Sequence, residues 1–110
     1  MSGRRNPCPG LWMTPVIRHD GELLVCCADV GGTIEVGNLR DASFRALWEG
    51  ERMQRYRRWH VRGEFHRMPT CAACGGIAFY ELDADQVREW CELVGDPESW
   101  ERYRARMGLG

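Results

Sequence analysis

Residues 16–27 read Val16-Ile17-Arg18-His19-Asp20-Gly21-Glu22-Leu23-Leu24-Val25-Cys26-Cys27. Two apolar runs flank Asp20-Gly21, a dipeptide suited to the positive-φ geometry of a tight hairpin turn. The stretch predicts a β-hairpin, with Leu11 to Ile17 as the first apolar run and Leu23 to Cys27 as the second. Cys26 then ends a strand, which is a rigid mount for a thiolate. Cys27 points to the opposite face and reads as a small buried apolar residue. His19 belongs to the turn and is expected to be exposed. Beyond Gly31-Gly32, the alternating run Thr33-Ile34-Glu35-Val36 suggests a third strand.

Outward from the hairpin the pattern becomes helical. Ser43 is a suitable N-cap for Phe44–Glu49, with Leu47 and Trp48 as buried positions. Gly50 breaks or bends this helix, and a second runs from Glu51 to about Val61. Met53, Tyr56 and His60 fall on one face of it. Residues 63–80, with Gly63, Pro69, Gly75 and Gly76, read as loops that carry Cys71-Ala72-Ala73-Cys74. Asp83 or Asp85 can cap a helix over Ala84–Val94, with Val87, Trp90, Cys91 and Val94 as its apolar stripe. Gly95 ends it, and Asp96-Pro97 starts a last helix through Met107. Trp100, Tyr103 and Met107 mark its inner face. The expected fold class is α+β: a small β-hairpin or three-stranded sheet plus helices around one metal centre. Residues 1–80 form the binding domain, and residues 81–110 a helical extension of the same domain.

The 110 residues are 44% hydrophobic and 28% charged, with net charge −1. Such a chain has the composition of one globular domain and is too short for a TIM barrel. Every one of the 15 basic residues is Arg, which removes a Schiff-base or P-loop lysine. No apolar run has the length of a membrane span, and no secretory signal opens the chain. A reducing cytoplasm is the default compartment. Residues 40–67 hold eight Arg and four acidic residues, whereas 81–101 hold eight acidic residues and one Arg. The two segments either pair with each other or present a docking surface. Arg55-Tyr56-Arg57-Arg58-Trp59 reads as a solvated helix face with buried aromatics; no nucleic-acid motif accompanies it.

Six cysteines need an explanation in a reducing compartment, where clustered Cys read as metal ligands. Seventeen residues separate Cys8 from Cys26, and 44 separate Cys26 from Cys71-x-x-Cys74. Four thiolates suit zinc or an iron–sulfur cluster. One CxxC knuckle with two separate single cysteines leaves both open. A thiol redox pair at Cys71 and Cys74 lacks the βαβ context of the thioredoxin type. Cys91 reads as a core thiol. His60 and His66 are secondary candidates, either as a nitrogen ligand in a Cys₃His zinc site or as a shield for a cluster.

Cys8, Gly21 and Cys26 together spell C-x(12)-G-x(4)-C, which resembles the opening of the SPASM domain, an extension of many radical SAM enzymes. Gly37-Asn38-Leu39 with Ser43-Phe44-Arg45-Ala46-Leu47-Trp48, and Pro69-Thr70-Cys71-Ala72-Ala73-Cys74, resemble that family's later segments. The resemblance implies that Cys8, Cys26, Cys71 and Cys74 bind one 4Fe–4S cluster. It also implies an accessory module, for electron transfer or substrate positioning, whose partner is a radical SAM enzyme or its peptide or protein substrate. The family's further cysteines are not matched: Tyr80 stands where the next would fall, and only Cys91 follows. The chain therefore resembles the shortened, one-cluster twitch form. The radical SAM signature C-x(3)-C-x(2)-C is missing as well, with Arg67 ahead of Cys71. The length leaves no room for the partial barrel, so no cleavage of S-adenosylmethionine by this chain alone is expected. The alternative is a zinc-stapled structural or protein-interaction domain.

Overall fold

The computed structural model describes residues 6–13, 15–25, 34–74 and 82–109, with backbone alone at 73 and 74. Strands β1 (Val16–Ile17), β2 (Glu22–Leu24) and β3 (Gly37–Asn38) form an antiparallel sheet in the order β1-β2-β3. Val16 pairs with Leu24 and Ile17 with Leu23; Glu22 pairs with Asn38 and Leu23 with Gly37. Cys26, Cys27 and Gly31 to Thr33 lie outside the described residues, so the expectations placed on them are not addressed by the structure.

The turn forms where the sequence places it. The Gly21 N–H donates to the Arg18 carbonyl and the Arg18 N–H to the Glu22 carbonyl, both at 2.9 Å. Gly21 has φ +92°, and a Cβ there would come within 2.7 Å of Asn38 Oδ1. Backbone conformation and space thus both require glycine. Asn38 Nδ2 donates to the Asp20 carbonyl at 3.3 Å, and the Leu39 N–H donates to the Gly21 carbonyl at 2.8 Å. The Asp-Gly turn and the Gly-Asn-Leu segment are therefore two halves of one contact.

Three expectations are corrected. Leu11–Met13 belongs to a short helix, α1 (Gly10–Met13), and not to a strand. Pro9 starts a turn whose carbonyl accepts the N–H groups of Trp12 and Met13 at 2.9 Å, and Pro15 offers no N–H to carry the helix on. The third strand is Gly37–Asn38 and lies after the alternating run. Ile34 and Val36 are buried and Glu35 is exposed, so that alternation reflects burial outside the ladder. Finally, Cys71-x-x-Cys74 lies in a helix, α4 (Pro69–Cys74), and not in a loop. Proline at a first helical position loses no hydrogen bond there, and the Ala72 N–H closes the turn on the Met68 carbonyl at 2.8 Å.

The other helices match their sequence signals. Ser43 caps α2 (Phe44–Trp48) by accepting the Ala46 N–H, although Leu47 and Trp48 are only half-buried. Gly50 separates α2 from α3 (Glu51–Arg62) as the N-cap of the latter. A 3-10 turn (Phe65–Arg67) leads to α4. Asp83 and Gln86 form a reciprocal capping box on α5 (Ala84–Val94), and Asp96 with Pro97 opens α6 (Pro97–Met107). Among the described residues no helix is long and apolar enough to cross a membrane.

Two apolar clusters hold these elements. The first gathers Leu11, Leu23, Val25, Ile34, Val36, Met53, Met68 and Cys71, with Cys8 packed against it. The second gathers Val61, Leu82, Val87, Trp90, Cys91 and Tyr103. Helix α3 supplies Met53 to one and Val61 to the other. Trp12 touches both and meets Trp90 edge-on, with ring centroids 5.7 Å apart.

The basic and acidic segments pair. Asp96 accepts from Arg58 Nε at 2.5 Å, from Ser99 Oγ at 2.6 Å and from Arg62 at 3.4 Å. Burial alone would raise its pKa, but the hydrogen bonds from Ser99 and Arg58 and the Arg62 charge outweigh it and hold the carboxyl at about 2. Because the folded-state value lies below the ordinary one, ionised Asp96 favours the fold above pH ~4, and that contribution fades as pH falls toward ~2. Asp96→Asn should lower stability at pH 7 by about 2 kcal/mol and flatten the acid limb of a denaturation series. An unaltered acid limb would contradict the assignment.

Candidate metal centre

His60 is fully buried on α3, facing the segment that carries Cys8 and the helix that carries Cys71. The Cys8 backbone N–H donates to His60 Nδ1 at 3.0 Å. His60 Nε2 lies 3.2 Å from Cys71 Sγ. One imidazole thus spans two of the four cysteines singled out in the sequence, across 52 and 11 residues of chain. The Phe65 ring meets it edge-on at 4.9 Å and 85°. Arg106 donates to the carbonyls of His60 and Val61 at 3.4 and 3.1 Å, which fixes this end of α3 from α6.

Cys8 is half-buried, and Cys71 is buried at 6% exposure. Both adjoin the same apolar cluster. Positions 71 and 74 stand three apart in α4 and so share a helix face. The side chain of Cys74, and all of Cys26, lie outside the described residues. Among the described residues no group of three or more His, Cys, Asp or Glu converges as a metal site. The donors that are described, the Cys71 thiol against a buried imidazole and Cys8 packed against the same apolar cluster, suit a soft metal or an iron–sulfur cluster and not a hard, oxygen-seeking cation.

The lead-in is held by a residue that sequence reasoning missed. Arg57 is 4% exposed, and its Nε donates to the Leu11 carbonyl at 2.7 Å. Its guanidinium lies over the Trp48 ring, 4.9 Å from the centroid. Burial lowers its pKa to about 10, so it stays charged at neutral pH. The Arg-rich stretch is therefore not simply a solvated face, because one of its arginines faces inward.

Cys91 stands apart. It is 1% exposed in the second cluster, and burial, with the Asp96 carboxylate, pushes its thiol up to about 11. That is the environment of a structural core thiol. His66 is exposed within the 3-10 turn, and His19 is exposed at the hairpin.

The fold and site define a small α+β scaffold whose hairpin, lead-in and CxxC helix contribute to one apolar cluster that holds Cys71, with Cys8 packed against it. The SPASM family, an iron–sulfur cluster-binding domain, matches residues 8–75, and the chain belongs to that family. No curated protein and no solved structure matches the chain.

Proposed function

We propose that the chain holds one 4Fe–4S cluster through Cys8, Cys26, Cys71 and Cys74, and serves a radical SAM enzyme as an electron-transfer or substrate-positioning module. The observation that supports this most is that His60 meets the Cys8 backbone amide on one side and the Cys71 sulfur on the other, beside one apolar cluster. A bound cluster supplies one-electron exchange at a potential set by its surroundings. The chain's own residues do the rest. Cys8 brings its thiol from the lead-in, which Arg57 ties to α3. Helix α4 presents positions 71 and 74 on one face. Leu11, Leu23, Met53 and Met68, each nearly inaccessible, keep water from the Cys71 side, which lowers the local dielectric around the thiolates. Cysteines that serve as cluster ligands belong in a reducing, cytoplasmic compartment.

Reversible reduction tests the reading. Anaerobically purified protein should bleach with dithionite, recover its colour on reoxidation, and keep its iron through repeated cycles. A colourless zinc protein with no redox response would leave the scaffold as a structural staple.

A further inference from the structure

We infer that His60 donates an N–H···S hydrogen bond from Nε2 to the Cys71 sulfur, and is a positioning residue for that thiolate and not a metal ligand. The inference rests on the proposal that Cys71 ligates the cluster, and it adds a residue outside the four cysteines.

The tautomer follows from the backbone. An amide N–H only donates, so the Cys8 N–H at 3.0 Å requires a lone pair on His60 Nδ1. A neutral imidazole with its lone pair on Nδ1 carries its proton on Nε2. That proton lies between Nε2 and Cys71 Sγ, 3.2 Å away. A metal-bound Nε2 would demand the reverse, because its lone pair would go to the metal and the proton to Nδ1. It would then meet the Cys8 N–H head-on. Metal-ligating histidines point their other nitrogen, as a donor, at a carboxylate, carbonyl or water, and here that nitrogen meets a donor. The Cys₃His alternative open from the sequence is thus disfavoured by one amide.

The surroundings fit a fixed donor. The ring is fully buried, so water does not compete for the Nε2 proton. The Phe65 edge contact holds its plane, and the Cys8 amide sets its rotation. The same ring joins the lead-in to α4, so it aligns two ligand segments while withdrawing charge from one sulfur. Hydrogen bonds to cluster sulfurs favour the reduced, more negative state and raise the reduction potential.

The test compares the full chain with His60→Leu, which has no N–H, and His60→Gln, which retains a side-chain N–H donor. Iron and sulfide contents are read with the midpoint potential and the metal–sulfur vibrational spectrum. His60→Leu should keep about four iron per chain. At a fixed potential its reduced-to-oxidised ratio should fall about tenfold, which is ~59 mV for a one-electron couple. His60→Gln should recover most of that shift. An unchanged potential and spectrum in His60→Leu would overturn the inference.

Should His60→Leu fail to fold or to hold iron, the tautomer decides on the wild-type chain. Long-range ¹H–¹⁵N correlations of zinc-loaded protein, or of metal-free protein if zinc does not bind, should show the proton on Nε2 and a bare Nδ1. A proton on Nδ1 with a metal-bound Nε2 would overturn the inference. A wild-type chain that binds no iron would instead defeat the cluster proposal, and the same spectrum would still report on His60.

Discussion

Cys71→Ala is expected to abolish cluster binding, whereas Cys91→Ala leaves it intact. Cys71 is buried against His60 in the apolar cluster shared with Cys8. Cys91 lies in the other cluster, among Val61, Val87 and Tyr103. Residues that merely orient metal ligands already change affinity about 10–100-fold when replaced, so losing one of the four proposed thiolates should exceed about 100-fold. On the proposed ligand set, a bound cluster would also staple a small core. Cys71→Ala should therefore lower the thermal midpoint and loosen the packing of Leu11, Leu23 and Met68. Cys91→Ala removes a sulfur from a filled space and should cost only ~1 kcal/mol or somewhat more. Iron analysis and thermal denaturation of the pair check both halves. Equal iron loss in the two variants would remove the distinction on which the site rests.

Arg57→Met is expected to be among the most damaging substitutions away from the cysteines. The wild-type side chain makes a buried, charge-assisted bond to the Leu11 carbonyl and lies over Trp48. Bonds to charged groups contribute about 1.5–3 kcal/mol, and a desolvated cation–π contact up to ~2 kcal/mol. Methionine keeps part of the apolar stem and leaves the carbonyl buried without that donor. A loss of about 3 kcal/mol follows, which in a domain of this size lowers the midpoint by on the order of 10 °C or more. Because Leu11 follows Cys8 by one turn of chain, iron should also leave the variant faster on chelation. Wild-type stability and chelation rate in Arg57→Met would show that the lead-in is held by apolar packing alone.

The sequence made some of this structure legible and left the rest hidden, for physical reasons. Asp20-Gly21, Ser43, Asp83 with Gln86, and Asp96-Pro97 act through local backbone chemistry, so their signals survive without knowledge of the fold. The Leu11–Met13 segment carried no period, and hydrophobicity alone does not separate a strand from one helical turn. Glycines after Cys74 pulled the reading of the CxxC toward a loop, although Pro69 and the alanines favour a helical turn. Arg57 was hidden because charge normally marks the solvent face. The signal lay in its register, since Met53, Arg57 and His60 follow the i, i+4, i+7 stripe of a buried helix face, and all three are buried. The sequence raised His60 only as a ligand or shield. Its two partners come from distant segments, and no local pattern could reveal them.

The most direct test of the central claim is the iron, acid-labile sulfide and zinc content of the full chain purified without oxygen. A cluster on Cys8, Cys26, Cys71 and Cys74 predicts about four iron and four sulfide per chain, brown protein and negligible zinc. About one zinc per chain, with neither sulfide nor colour, would contradict it and identify the centre as a structural tetrathiolate.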